Sequence, residues 1–105
     1  MKAEVLPEEV RQAVKALCGD YDRRQAEIQK GNLPPKVIAN YMMINAAIDE
    51  AIASCCEEGV RAEMRKDIGS GVGHRFSKLF YLSVNTYKDR KSKSKAAIAK
   101  ALLLM

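Results

Sequence analysis

The sequence has no tryptophan and one histidine, and its 105 residues hold only two phenylalanines, four tyrosines and three cysteines. Nucleophilic catalysis usually needs an activating base such as histidine. His74 stands beside a glycine run with no serine or cysteine partner suggested by spacing. Cys18, Cys55 and Cys56 form no Cys-x-x-Cys pair and no Cys/His cluster, so neither a metal site nor a disulfide framework is expected. Neighbours on a helix point about 100° apart, which keeps Cys55 and Cys56 off a common ligand face. Buried thiols in a reducing compartment are the expectation. The opening MKAEVLPEEV has no apolar core of a secretory signal. No apolar run approaches the ~20 residues of a membrane span. A soluble, cytoplasmic chain with no membrane partner follows.

Acidic pairs are present at Glu8–Glu9, Asp49–Glu50 and Glu57–Glu58, but adjacent carboxylates on a helix face different ways. Glu63 and Asp67, one helical turn apart, read as a solvated face. Gly69-Ser70-Gly71-Val72-Gly73 lacks the Gly-Lys-Ser/Thr ending and the preceding strand of a phosphate loop, and reads as a flexible connector. No catalytic residues, metal ligands or cofactor site are expected. The chain does not read as an enzyme.

What is abundant is positive charge at one end. The net charge is +5, yet residues 75–100 hold eight basic residues against the single acid Asp89, and the remainder is slightly acidic. Such a split suggests that the last quarter meets a polyanion.

The fold class is all-α: strand-like alternation appears nowhere, and apolar residues recur at helical steps. Pro7 opens a helix expected to run to Lys30, with Val10, Val14, Leu17, Tyr21 and Ile28 in one stripe and Arg24 in the position left open. Gly31-Asn32-Leu33-Pro34-Pro35 is a stop and restart. Ile38, Tyr41, Ile44, Ile48, Ile52 and Cys55 then form a second stripe, with Asn45 at its edge. Residues 7–56 read as an N-terminal helical hairpin, and helix continues to Ile68 with a break at Gly59. The expected division is 1–68 for the hairpin and oligomerisation region, and 69–105 for a basic helix-turn-helix-like unit. Both belong to one small protein.

In that unit, a short helix from His74 to Phe80 or Tyr81 would carry Phe76 as its apolar position and Ser77 at the helix crossing, with Phe80 closing it. Leu82 enters the second helix, Ser83 caps it, and Tyr87 anchors it with Ile98 and Leu102, the helix running from Val84 to about Leu104. With Tyr87 inward, Asn85, Thr86, Lys88, Asp89 and Arg90 occupy the other directions. Asparagine can pair with adenine, arginine with guanine, and aspartate can accept from cytosine. Lys93, Arg75 and Lys78, with Lys91, Lys95 and Lys100, would neutralise phosphates of double-stranded DNA. Tyr81 stands where such a turn usually has glycine.

The stretch Tyr81-Leu82-Ser83-Val84-Asn85-Thr86-Tyr87-Lys88-Asp89-Arg90-Lys91, followed by Ile98-Ala99-Lys100-Ala101-Leu102, resembles the end of small phage transcriptional regulators of the ArpU/RinA type. Those end in a sigma-factor region-4-like helix-turn-helix. The resemblance covers about a quarter of the chain. It implies a phage or prophage DNA-binding regulator, with the hairpin serving homo-oligomerisation or RNA-polymerase contact. The alternative is a non-enzymatic helical adaptor or assembly protein whose lysine-rich helix docks an acidic partner. An RNA binder ranks lower because few aromatics are expected at the surface for base stacking.

Overall fold

Glycine and proline set the helix boundaries in the computed structural model, which describes residues 6–102. The chain is all-α, with five helices and no strand among the described residues: α1 (Glu8–Gly19), α2 (Tyr21–Lys30), α3 (Pro35–Ala53), α4 (Glu58–Ser70) and α5 (Val84–Ala101). A single 3-10 turn, His74–Phe76, lies between α4 and α5. Gly31 ends α2 in the left-handed conformation (φ 68°), and Pro35 stands in the first turn of α3. The α2–α3 pair is the hairpin expected from the sequence.

The first expected helix is two. It breaks at Asp20, after Gly19, so α1 leaves the hairpin and packs on α4 and α5 while α2 stays against α3. The second break falls before Gly59, not at it. Ser54 Oγ donates to the Ala51 carbonyl, and Arg61 Nε donates to that of Cys56 at 3.0 Å, closing α3 and starting α4. Cys55 and Cys56 therefore lie beyond the helix end. Cys56 is buried with its Sγ 3.4 Å from Ser94 Oγ of α5, and Cys18 is buried too, whereas Cys55 is half-buried.

The core gathers Val14, Ile48, Ile52, Val60, Met64, Ile68, Leu79, Tyr87 and Ile98 from every helix except α2, and from the 71–83 segment. Each fully buried aliphatic side chain contributes roughly 1.5–3 kcal/mol. α5 packs on α3 and α1, so the basic helix shares this core.

Gly69 does not act as a flexible connector. It lies inside α4, where its α-carbon meets the backbone of α1: a Cβ there would stand 2.8 Å from the Gly19 nitrogen. The helix ends two residues later at Gly71, left-handed at φ 76°.

The charged position in the first stripe is resolved inside the hairpin. Arg24 is buried; its Nε donates to Asn45 Oδ1 at 2.7 Å, and a terminal nitrogen, Nη2, donates to the Leu17 carbonyl. Asn45, also buried, donates onward to Gln25 at 2.9 Å. Burial pulls the Arg24 guanidinium below its ordinary pKa range. Asn45 was expected at the edge of its stripe and sits at the centre of the contact.

Candidate functional site

The segment 71–83 departs most from expectation. Of the short helix expected from His74 to Phe80 or Tyr81, only the single 3-10 turn forms. The cause is a polar anchor. Ser77 donates from Oγ to the Asp67 carboxylate and accepts the Leu79 N–H at 2.9 Å, a local turn that competes with helix. Asp67, expected on a solvated face, is buried with Ser77 as its partner. This turn sends Leu79 into the core and leaves Phe76, Phe80 and Tyr81 at 80%, 68% and 62% exposure. The expected apolar position and closing residue thus face solvent.

Tyr87 is the buried anchor that was expected. Its hydroxyl donates to the Val72 carbonyl at 3.2 Å, and its ring meets that of His74 edge-on at 5.0 Å. The His74 ring nitrogen contacts the Leu82 carbonyl. Burial, reinforced by Asp67, pushes the Tyr87 phenol up to about 12. Lys91, one turn on, donates to the Val72 carbonyl at 2.7 Å and to the Tyr87 hydroxyl at 3.0 Å. These bonds hold the segment against the start of α5.

Ser83 caps α5 by accepting the Thr86 N–H at 3.1 Å, as expected. The expected end near Leu104 lies outside the described residues. The eight residues expected to meet DNA then divide by partner. Thr86 Oγ1 accepts from Ser83. Arg90 donates from Nε and a terminal nitrogen to one Glu57 carboxylate oxygen, at 3.0 and 2.7 Å, and Asp89 pairs with Lys93 at 3.2 Å. Glu57 raises the Arg90 pKa further, so this pair binds α5 to the start of α4. Arg75, Lys78, Asn85 and Lys88 are exposed and make no side-chain hydrogen bond or ion pair among the described residues. Three unpaired cations and an uncommitted amide thus lie in the same stretch of chain as the exposed Phe76, Phe80, Tyr81 and Val84, the last 47% exposed. The scarcity of exposed aromatics that counted against RNA is not present.

A cleft of about 470 Å³ opens between α2, α3 and α4, lined among others by Tyr21, Asp49, Glu58, Arg61 and Arg65. Its charges are mostly spent internally. Tyr21 donates to Asp49 at 2.8 Å, and the Arg65 guanidinium lies 3.7 Å from the Tyr21 ring centre and 3.6 Å from Asp22. No group of three or more His, Cys, Asp or Glu side chains that could hold a metal occurs among the described residues. No described helix is long and apolar enough to cross a membrane.

The chain matches no family model, no curated protein and no solved structure.

Proposed function

We propose that the protein binds double-stranded DNA through the 74–88 surface and acts as a small transcriptional regulator, in the manner that its resemblance to ArpU/RinA-type proteins implies. One observation carries the reading: Arg75, Lys78 and Lys88 are exposed and unpaired, whereas the cations nearby, Arg90 and Lys93, already hold carboxylates. A phosphate backbone supplies the missing anions. The first turn of α5 holds no acidic residue and follows its serine cap, so the helix dipole favours an anion there as well. Asn85 is the base-reading candidate, because an amide can pair with adenine in the major groove. Arg90, Asp89 and Thr86 support the helix instead of reading bases. A homo-oligomer and an RNA-polymerase contact belong to the same proposal.

The adaptor reading draws on a different observation, the exposed Phe76, Phe80 and Tyr81, which suit a protein partner as well as a base.

The test is a titration of labelled 20-base-pair duplex from the protein's genomic neighbourhood, at 50 and 200 mM salt. The Arg75→Ala/Lys78→Ala/Lys88→Ala variant is run beside the wild type. Three phosphate contacts predict an affinity about 40-fold lower at the higher salt, a dependence the variant largely loses. Absence of binding by folded protein at 50 mM salt overturns the reading in favour of the adaptor.

A further inference from the structure

A second concentration of positive charge lies where α1 meets α5. A cleft of about 260 Å³ is lined by Glu8, Arg11, Gln12, Lys15, Ile68, Gly71, Lys91 and Lys95. It brings four cations together with one carboxylate. That carboxylate is engaged: Glu8 accepts from Gln12 at 2.9 Å and pairs with Arg11. Lys15 and Lys95 have no hydrogen bond or ion pair among the described residues. The Lys91 ammonium is fixed by the Val72 carbonyl and the Tyr87 hydroxyl, both neutral.

The lysines are crowded on a partly desolvated surface. Burial lowers the Lys95 pKa, and Arg11 and Lys15 lower it further. Burial and then Lys95 lower that of Lys91, which Asp67 partly offsets. Like charges held together in this way repel one another unless an anion enters. Gly71 has no side chain, and the end of Lys15 packs over it: a Cβ there would stand 3.0 Å from Lys15 Nζ. Lys91 and Lys95 are one turn apart on α5, and Arg11 and Lys15 one turn apart on α1, so the two helices present paired cations across the gap.

We propose that this cleft is a binding site for a phosphate-bearing anion, held by Lys15, Lys91 and Lys95 with Arg11 at its rim. The site is distinct from the 74–88 surface and takes half its cations from α1, outside the basic segment. Lysine suits the role as a point charge that meets phosphate oxygens without a fixed approach. The volume admits a compact group such as a diphosphate or one backbone phosphodiester. This inference stands independently of DNA binding at the 74–88 surface.

Inorganic pyrophosphate is the probe. Calorimetric titration at pH 7, with ionic strength held by sodium chloride, compares the wild type with Lys15→Gln, Lys95→Gln and the control Lys36→Gln, an exposed residue at the start of α3. The site requires saturable binding by the wild type and the control, weakened at least tenfold in each of the other two variants. No saturable heat beyond the chloride background overturns it, and so does an unchanged affinity in either cleft variant. Adding the 20-base-pair duplex to the loaded protein identifies the source of the phosphate. Displacement of pyrophosphate assigns the cleft to the nucleic-acid backbone, and simultaneous binding assigns it to a free phosphorylated molecule. Loss of duplex binding in the Arg75/Lys78/Lys88 variant with pyrophosphate binding intact separates the two surfaces.

Discussion

Helix α2 and the segment leading into α5 treat the same side chains in opposite ways. In α2 every cation has a partner: Arg23 pairs with Asp20 at 3.0 Å, Lys30 with Glu27 at 3.7 Å, and Arg24 is bonded to the neutral amide of Asn45 in the core. Ahead of α5 and on its first turns, Arg75, Lys78 and Lys88 have no such partner. Exposed ion pairs contribute only ~0–1 kcal/mol, so the matching in α2 is not mainly a device for stability, apart from buried Arg24. The lesson concerns what is left over. Where a chain satisfies its charges internally, they serve its own packing; where it leaves several of one sign unsatisfied on one surface, the complement has to come from elsewhere.

The contrast breaks most severely at Arg24. Arg24→Ala removes a buried charged donor and leaves Asn45 Oδ1 without its partner, and is expected to cost about 3 kcal/mol in chemical denaturation. A loss below about 1 kcal/mol means the pair is not buried as described. The next effect is one of pH. Burial pushes the Cys18 thiol up from an ordinary 9.0 to about 11, against the opposing pull of Arg24 and Arg65. A raised folded-state pKa contributes stability that is fully present below pH 9 and is lost as pH rises through 11. Relative to Cys18→Ala, the wild type should therefore lose about 2–3 kcal/mol across that window. Lys91 and Lys95, whose lowered pKa works the other way, are common to both proteins and cancel in the difference.

Gly69→Ala tests the joint between α1 and α4. A methyl group forced against backbone is expected to cost about 2 kcal/mol, whereas Gly59→Ala, with open space around it, should cost nothing. The smallest effect sharpens the comparison from the other side. Arg75→Ala/Lys78→Ala/Lys88→Ala should leave the denaturation midpoint within about 0.5 kcal/mol of wild type, while abolishing the salt-dependent binding. A large stability loss there would make those cations structural.

The hairpin was legible because its signals are local. Gly31 and Pro35 end one helix and begin the next by backbone chemistry alone, and the stripe Ile38, Tyr41, Ile44, Ile48 and Ile52 in α3 repeats at three- and four-residue steps. Arg24 and Asn45 each stood out against an apolar pattern, though nothing in the spacing said that they meet. The cap at Ser83 and the anchor at Tyr87 were legible for similar local reasons. The helix before them was not. Phe76 and Phe80 have the spacing of a buried face, but a serine–aspartate bond between residues ten apart overrides it and turns Leu79 inward. Tertiary bonds of that kind leave no periodic trace. The cleft between α1 and α5 was hidden for the same reason: the step from Arg11 to Lys15 is visible, but its proximity to Lys91 and Lys95 depends on how α1 leaves the hairpin.

The crossing at Gly19 and Gly69 has a consequence for that cleft. Contacts between side chains have slack, since rotamers change and longer chains bend aside. Backbone against backbone has almost none. The α1–α4 crossing therefore acts as a gauge block: it sets how close α1 can come to α4, and so where Arg11 and Lys15 stand relative to Lys91 and Lys95. The width of the cationic gap is set in part by a residue that lies outside it, and any side chain at position 69 would shift α1 and alter the gap from behind without changing one of its charges.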